Sequence, residues 1–436
     1  MTRPIPHPAN AIVARRICER LRMAIAVAGL VLIRQTRGLW FGSAEVFPQV
    51  PLVSWGLESP AWLDAVFAWL MVGSLGTLLF CFRRDRVARI ASLTFAGALA
   101  GAVLLDQQRL QPWAWEFAIL LLVMALLPAR QAVVGLRWVV ASIYLHSGLS
   151  KSDVTFLETY GENLLWVIQG SFGWDLAEAP VMVRRGLVAL LPLGEIGVAI
   201  GLCIPRTRQF AKWGAIGMHV CLLWILGPWG LDHQPGVLIW NAYFIVQNGI
   251  LFSRFPKSEA LDSPVTGSTV ESPRWRISLG YLLVAIIGLL PFLEPFGLFD
   301  HWPAWAVYAS RPERTLVYVA EDRLPDLPPE VREFLSEGET PPDEAERFLA
   351  GKPAWRRLRI DRWSLAATKA PAYPQDRFQL GVALALARDY QLGEAIRVDI
   401  LSPADRWTGQ RTHRVLEGQK AIRETAENYR LNALPR

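Results

Sequence analysis

Charged residues are scarce in this sequence. They make up 19% of its 436 residues, whereas about 25% is usual in a soluble protein. The shortage is concentrated in residues 1–300, where 24 Lys and Arg and 19 Asp and Glu are spread over 300 positions. Residues 301–436 carry 21 and 20 in less than half that length, so they are about twice as charged per residue. With 52% hydrophobic residues, this composition excludes a disordered or collagen-like chain. It predicts a membrane protein with a soluble C-terminal part.

Cysteine and closely spaced histidine are also scarce. There are four Cys, the last of them Cys221, which excludes a disulfide-stapled C-terminal domain. The Cys and the six His lack the spacing of metal ligands, so no metal site is predicted. The sequence has no Gly-rich phosphate loop and no nucleophile elbow. The net charge of +6 comes from short basic clusters between apolar runs, which indicates membrane orientation and not a nucleic-acid partner.

Long apolar runs, in contrast, are abundant. A helix needs about 20 mostly apolar residues to cross a bilayer. Runs of this kind predict nine spans, at 23–41, 60–82, 87–105, 113–129, 132–149, 186–204, 211–230, 235–253 and 277–297. The first span is the weakest, because its apolar core MAIAVAGLVLI is short.

Basic clusters precede the first predicted span and follow the second, fourth, sixth and eighth, and such clusters mark cytoplasmic loops. The sequence therefore predicts an all-α polytopic membrane bundle with a cytoplasmic N-terminal segment (1–22), a transmembrane domain (23–299) and an extracytoplasmic C-terminal domain (300–436). The last is predicted to be a small α+β domain. Its expected strands are TLVYVA and AIRVDIL, and its expected helices are DRFQLGVALALARDY and VLEGQKAIRETAENY.

Ionisable residues within a membrane are energetically costly, so they need a partner, water or a function. Asp106 and Arg109, in LDQQRLQPW, lie where the third span ends and can pair if the helix continues. A helix-end ion pair and a ligand site are both open interpretations. Glu195 lies in the middle of the sixth span, where a partner on a neighbouring helix is expected. His219 is equally deep and is expected to bond a backbone carbonyl, and Asn241 lies in the outer half of the eighth span.

The stretch SIYLHSGLSKSD ends the fifth span with His146, Lys151 and Asp153. Helical spacing places Tyr144, Ser147 and Lys151 on one face and His146 on another. Lys151 is either an amine that reaches the membrane interface or a partly desolvated amine that acts as a neutral base.

Taken together, the nine-span plan and the stretches LDQQRLQPW and YLHSGLSKSD resemble the HTTM family, which includes the vitamin K-dependent gamma-glutamyl carboxylase. The resemblance covers roughly residues 20–300. It is strongest at Gly148, Leu149, Lys151 and Asp153, which match a Gly-hydrophobic-x-Lys-x-Asp stretch of the family. DoxX-type membrane proteins are a looser resemblance.

The resemblance implies that Lys151 is the catalytic base, acting at the outer membrane face on a reduced quinone such as vitamin K hydroquinone. Oxygen would then add, and the resulting strong base would remove a carbon-bound proton. The expected partners are membrane lipids and a quinone-like ligand. The residues expected to bind substrate are Asp106, Arg109, His146, Asp153, His219 and Asn241.

Two other functions stay open. A non-catalytic membrane protein would bind lipid or quinone, or a partner through its C-terminal domain, with Lys151 at the headgroups and Glu195 and His219 paired in a dry core. A transporter is disfavoured because no inverted repeat is visible. A cavity that contains Lys151 together with groups from other spans favours the enzyme.

Overall fold

A computed structural model describes residues 8–42, 44–176, 178–253, 273–336, 338–344, 349 and 353–436. The described part of the first 300 residues is helical. Its helices are α1 (Pro8–Gln35), α2 (Arg37–Phe41), α3 (Trp62–Cys81), α4 (Asp85–Leu105), α5 (Pro112–Leu126), α6 (Ala129–Ser150), α7 (Val154–Glu158), α8 (Tyr160–Phe172), α9 (Val181–Cys203), α10 (Arg208–Leu226), α11 (Pro235–Leu251) and α12 (Arg274–Leu289).

Within the described ranges, six helices are long and apolar enough to cross a membrane: Trp62–Cys81, Asp85–Leu105, Ala129–Ser150, Val181–Cys203, Arg208–Leu226 and Arg274–Phe296. They are the helices of a multi-pass membrane protein. Each of the nine predicted spans contains a helix, but the count of nine spans is not confirmed. Helix α5 has 15 residues and α11 has 17, so at about 1.5 Å per residue both are shorter than a hydrocarbon core of about 30 Å. Helix α1 is long enough, but its first half is rich in Arg.

The chain forms two compact units that alternate along the sequence. The first, the helical unit, comprises Met1–Arg34, Leu70–Gly97 and Pro112–Ser310. The second, the sheet unit, comprises Gln35–Trp69, Ala98–Gln111 and Arg311–Arg436. The C-terminal residues therefore fold together with two segments from the first quarter of the chain.

Helix α6 lies at the centre of the helical unit, where it packs against α5, α9 and α12. Two short helices follow it. Asp153 caps the start of α7 by accepting a hydrogen bond from the Phe156 backbone N–H at 3.0 Å. Helix α8 ends at Phe172 and is followed by Gly173, whose φ of +66° suits glycine. Phe156 and two leucines of α8 are buried against α9 and α10, which fixes the short helices next to the end of α6.

The sheet unit is built on four antiparallel strands: β1 (Arg314–Ala320), β2 (Trp355–Leu358), β3 (Ile396–Leu401) and β4 (His413–Glu417), in the order β2-β1-β3-β4. Besides α2, its described helices include α13 (Pro329–Arg332), α14 (Ile360–Thr368), α15 (Asp376–Asp389) and α16 (Gly418–Glu427). Helix α15 packs on β1, β3 and α16. The predicted strands TLVYVA and AIRVDIL and the helix at DRFQLGVALALARDY are confirmed.

The helix predicted at VLEGQKAIRETAENY is wrong in its first turn. Val415–Glu417 belong to β4, which pairs with β3, and the helix begins at Gly418. The φ of Gly418 is +81°, a conformation that turns the chain between the strand and the helix at little steric cost to glycine. Pairing with β3 satisfies the backbone groups that a helical turn would otherwise have bonded.

Candidate functional site

A cavity of about 130 Å³ lies in the helical unit. Its walls come from α6, α7, α8, α9, α10 and α11 and from Trp305, Val307 and Tyr308. Most of the lining is apolar, for example Ile143, Leu191 and Phe244. The polar side chains in the lining are therefore few, and each of them is informative.

The strongest of these polar features is an ion pair between α6 and α9. Lys151 Nζ lies 2.9 Å from Glu195 Oε1 and 3.0 Å from Oε2, and it donates to Ser147 Oγ at 2.5 Å. The side chains of Lys151 and Glu195 are only 9% and 13% exposed. The expectation that Glu195 pairs across helices is confirmed.

Gly148 allows the two helices to approach closely enough for this pair. A Cβ at position 148 would lie 2.8 Å from the Pro192 carbonyl oxygen and 2.8 Å from Ile196 Cγ1. Both distances are shorter than real Cβ contacts, so glycine is needed at this crossing. The next turn of α6 then places Lys151 against Glu195.

A second polar group in the lining is a directional chain of hydrogen bonds. Asn241 Nδ2 donates to the Val237 carbonyl, which identifies the other amide atom as the oxygen. Asn241 Oδ1 lies 2.8 Å from His219 Nδ1 and accepts a hydrogen bond from it. His219 Nε2 is then the acceptor for the Tyr144 hydroxyl at 2.8 Å, and Asn248 donates to the Tyr144 oxygen at 2.7 Å. The expectation that His219 bonds a backbone carbonyl is wrong, because both of its ring nitrogens bond side chains.

A tyrosine–histidine contact of the same kind occurs at α8. Tyr160 Oη lies 2.9 Å from His233 Nε2, and the Tyr160 ring stacks on Tyr308 with centroids 5.0 Å apart. Trp305 and Tyr308 both have positive φ, at 64° and 63°, an uncommon conformation for large side chains. Both line the cavity, and such local strain is typical of functional sites.

Three of the predicted site residues, Lys151, His219 and Asn241, line this cavity. His146 and Asp153 are outside its lining. His146 Nε2 bonds the Gly288 carbonyl at 3.0 Å and its ring packs edge-on against Phe292. The Asp153 carboxylate caps α7. Lys151 pairs with Glu195 of α9.

Asp106 and Arg109 belong to the sheet unit. Helix α4 ends at Leu105, and Asp106 caps a short 3₁₀ turn, with its carboxylate 4.0 Å from Arg109 Nε. Arg109 is buried and bonds Asp64, whose other carboxylate oxygen accepts from Arg436 at 2.8 Å. Both residues are thus part of an ion-pair network that joins segments of this unit.

The sequence reasoning missed Tyr160, His233, Trp240 and Tyr308 as neighbours of the site. Tyr160 begins a short amphipathic helix that was not predicted, and Tyr308 lies in an irregular segment. The available signal was the placement of His233 in the turn before α11. Its contact with Tyr160 depends on how α7 and α8 fold back, which the local sequence does not encode.

No family model, curated protein or solved structure matches this chain.

Proposed function

We propose that the protein is a membrane enzyme of the HTTM type that removes a proton from a hydroxyl group of a lipid-soluble, quinol-like substrate. The Lys151–Glu195 pair would act as the base. The observation that carries the proposal is the position of this ion pair, nearly buried and in the lining of a mostly apolar cavity. Ionisable side chains in such surroundings are costly to maintain and are usually functional.

The size and lining of the cavity support a ligand with one small ring. Its volume is about 130 Å³, and an apolar protein cavity of about 150 Å³ holds benzene. Phe244, Trp240 and Trp305 supply aromatic surface to the lining. A quinol ring suits this combination of aromatic walls and few polar groups.

The pair supplies both functions that deprotonation requires. The Glu195 carboxylate accepts the hydroxyl proton, and the Lys151 ammonium beside it stabilises the oxyanion that remains on the substrate. This division of roles differs from a lone neutral lysine, because Lys151 Nζ donates to both carboxylate oxygens. Reaction of the substrate anion with oxygen is the step that the HTTM resemblance adds.

The decisive experiment separates the charge pair's structural role from its chemical role. Lys151→Met alone leaves the Glu195 carboxylate unpaired in a buried place and should destabilise the protein by about 3–5 kcal/mol. The double variant Lys151→Met/Glu195→Met removes both charges, so its thermal stability in detergent should recover. Its oxidation of methylhydroquinone in lipid nanodiscs, measured above the protein-free rate, should nevertheless be abolished.

Lys212→Met is the matched control, because Lys212 lies on α10 over the ring of Trp213, outside the cavity lining. It should retain both stability and turnover. If the stable double variant oxidises methylhydroquinone at the wild-type rate, the pair is purely structural and the enzymatic proposal is wrong. Binding of methylhydroquinone without any turnover in the wild type would instead favour a quinol-binding protein.

A further inference from the structure

The donor groups around the cavity are largely committed to protein acceptors. Lys151 Nζ donates to Ser147 and Glu195, and the Tyr144 hydroxyl donates to His219. Trp240 Nε1 donates to Glu116 at 2.7 Å. These donors are therefore not available to a ligand, whereas Trp305 Nε1 of the same lining is buried without a hydrogen-bond partner among the described residues.

Tyr160 follows the same rule because of His233. His233 Nδ1 lies 3.4 Å from the Leu231 carbonyl, which can only accept, so the ring proton is on Nδ1. In the neutral ring Nε2 is then an acceptor, and the Tyr160 hydroxyl donates a hydrogen bond to it at 2.9 Å. The Tyr160 oxygen keeps its lone pairs for a ligand but has no proton left to donate.

Two contacts hold the position of Tyr160. Its ring stacks on the ring of Tyr308, whose φ is positive, and the neighbouring Thr159 Oγ1 bonds Ser310 Oγ at 2.8 Å. Burial raises the pKa of Tyr160 above its ordinary value, so the phenol keeps its proton at neutral pH and needs the histidine acceptor.

We infer that Tyr160 and His233 are a specificity pair that makes the cavity select a ligand hydroxyl over a carbonyl at the same position. Tyr160 accepts the hydroxyl hydrogen, and His233, which is outside the lining, acts as a positioning residue by fixing the direction of the Tyr160 proton. The inference rests on the proposed function, since it assigns a role within the same cavity. It predicts that the reduced ring binds and the oxidised ring is rejected, because a carbonyl would face the Tyr160 lone pairs.

The test compares methylhydroquinone with methyl-1,4-benzoquinone, which differ only in the hydrogens on their two oxygens. Binding to the full-length protein in nanodiscs is measured by anaerobic titration calorimetry. The wild type should bind the hydroquinone at least about tenfold more tightly than the quinone. About one hydrogen bond between neutral groups, together with the repulsion between the quinone carbonyl and the Tyr160 oxygen, accounts for a ratio of this size. Tyr160→Phe should reduce that ratio about tenfold.

His233→Leu frees the Tyr160 proton for donation, so quinone affinity should rise and the preference should disappear or invert. His233→Gln offers an amide oxygen as a new acceptor and should restore the hydroquinone preference. Tyr281→Phe, at an exposed tyrosine of α12, is the control and should change nothing.

A preference that survives both Tyr160→Phe and His233→Leu would overturn this inference and leave the proposed function standing, provided that Lys151→Met/Glu195→Met still abolishes turnover. Failure of the wild type to bind either ring would overturn both.

Discussion

Gly148 shows how one residue positions the candidate site. Its missing side chain lets α6 touch the Pro192–Ile196 turn of α9, and the Lys151–Glu195 pair follows one turn later. Glycine weakens a helix by about 1 kcal/mol relative to alanine, so its presence near the end of α6 is compensated by the close contact. The motif GLSKSD therefore has a packing reason for its glycine, independent of any resemblance.

Gly148→Ala should lower the free energy of unfolding by about 1–3 kcal/mol, because the added methyl group would overlap backbone and side-chain atoms of α9. It should also weaken methylhydroquinone binding by separating Lys151 from Glu195. Thermal denaturation in detergent and the binding titration measure the two effects. Gly197→Ala on α9 is the control: a Cβ there meets nothing within 4 Å, so it should be neutral or slightly stabilising.

Asp106 is a buried carboxyl in the sheet unit. Burial raises its pKa from 3.8 to about 6, with Arg109 opposing the shift. Because its pKa is higher in the folded than in the unfolded protein, folding takes up a proton between these values. The contribution of Asp106 to the free energy of unfolding is therefore stabilising at low pH, and it is lost as the pH rises through about 6.

The pH dependence of unfolding should reveal this group. From pH 4 to 7, Asp106 should lower the free energy of unfolding by up to about 3 kcal/mol. Asp106→Asn keeps a side-chain oxygen for the Gln108 N–H and removes the titration, so the variant should lose that part of the slope. Thermal denaturation of wild type and variant at both ends of the range is the measurement. Equal slopes would mean that Asp106 titrates normally.

At the scale of elements, Asp153 starts a new helix and does not extend α6. Its carboxylate accepts from the Phe156 backbone N–H and from the Thr155 hydroxyl. Both contacts are those of an N-terminal cap. The HTTM resemblance assigns Asp153 to substrate binding, and the break between α6 and α7 that makes it a cap is not visible in the apolar pattern.

Asp153→Ala should cost about 1 kcal/mol of stability through loss of the cap and should loosen the α7–α8 segment. Asp153→Asn preserves an accepting oxygen and should keep both stability and methylhydroquinone binding. The thermal midpoint and the binding titration give the comparison. If the Asn variant folds normally but no longer binds, the negative charge serves the ligand after all.

Sequence patterns predicted individual elements better than their lengths. Helices occur in all nine apolar segments, and β1, β3 and α15 lie where expected. The pattern could not tell that α5 and α11 are short, because apolar residues in buried turns and loops extend a run beyond its helix. It also missed β4, whose formation depends on β3 being beside it.

At the scale of the whole molecule, the orientation in the membrane is the main open prediction. The basic clusters predict that the N-terminal segment and the linker at 257–276 lie in the cytoplasm and that the C-terminal residues lie outside. Residues 254–272 lie outside the described residues. Cysteines introduced at Ser263 and Ser336, in a variant lacking the four native cysteines, should react with an impermeant maleimide from opposite sides of the membrane.

Intact and inverted vesicles provide the control for this labelling, since each position should react in only one of them. Reaction of both positions in the same vesicle preparation would contradict the nine-span topology. An even number of crossings between the two positions would then be required, and the orientation of the tail would have to be reassigned.

Local sequence patterns were enough to indicate a multi-pass membrane protein and most of its elements, because hydrophobic run length and helical or strand periodicity are properties of neighbouring residues. They also identified Lys151, Glu195, His219 and Asn241 as polar residues in costly positions. Which of these residues meet depends on how the helices pack. The partner of Lys151 is 44 residues away on α9, and Gln107 bonds Arg377, 270 residues away, within the sheet unit. Such pairings depend on where helices cross and on how distant segments pack within a unit. Neither leaves a periodic pattern in the sequence.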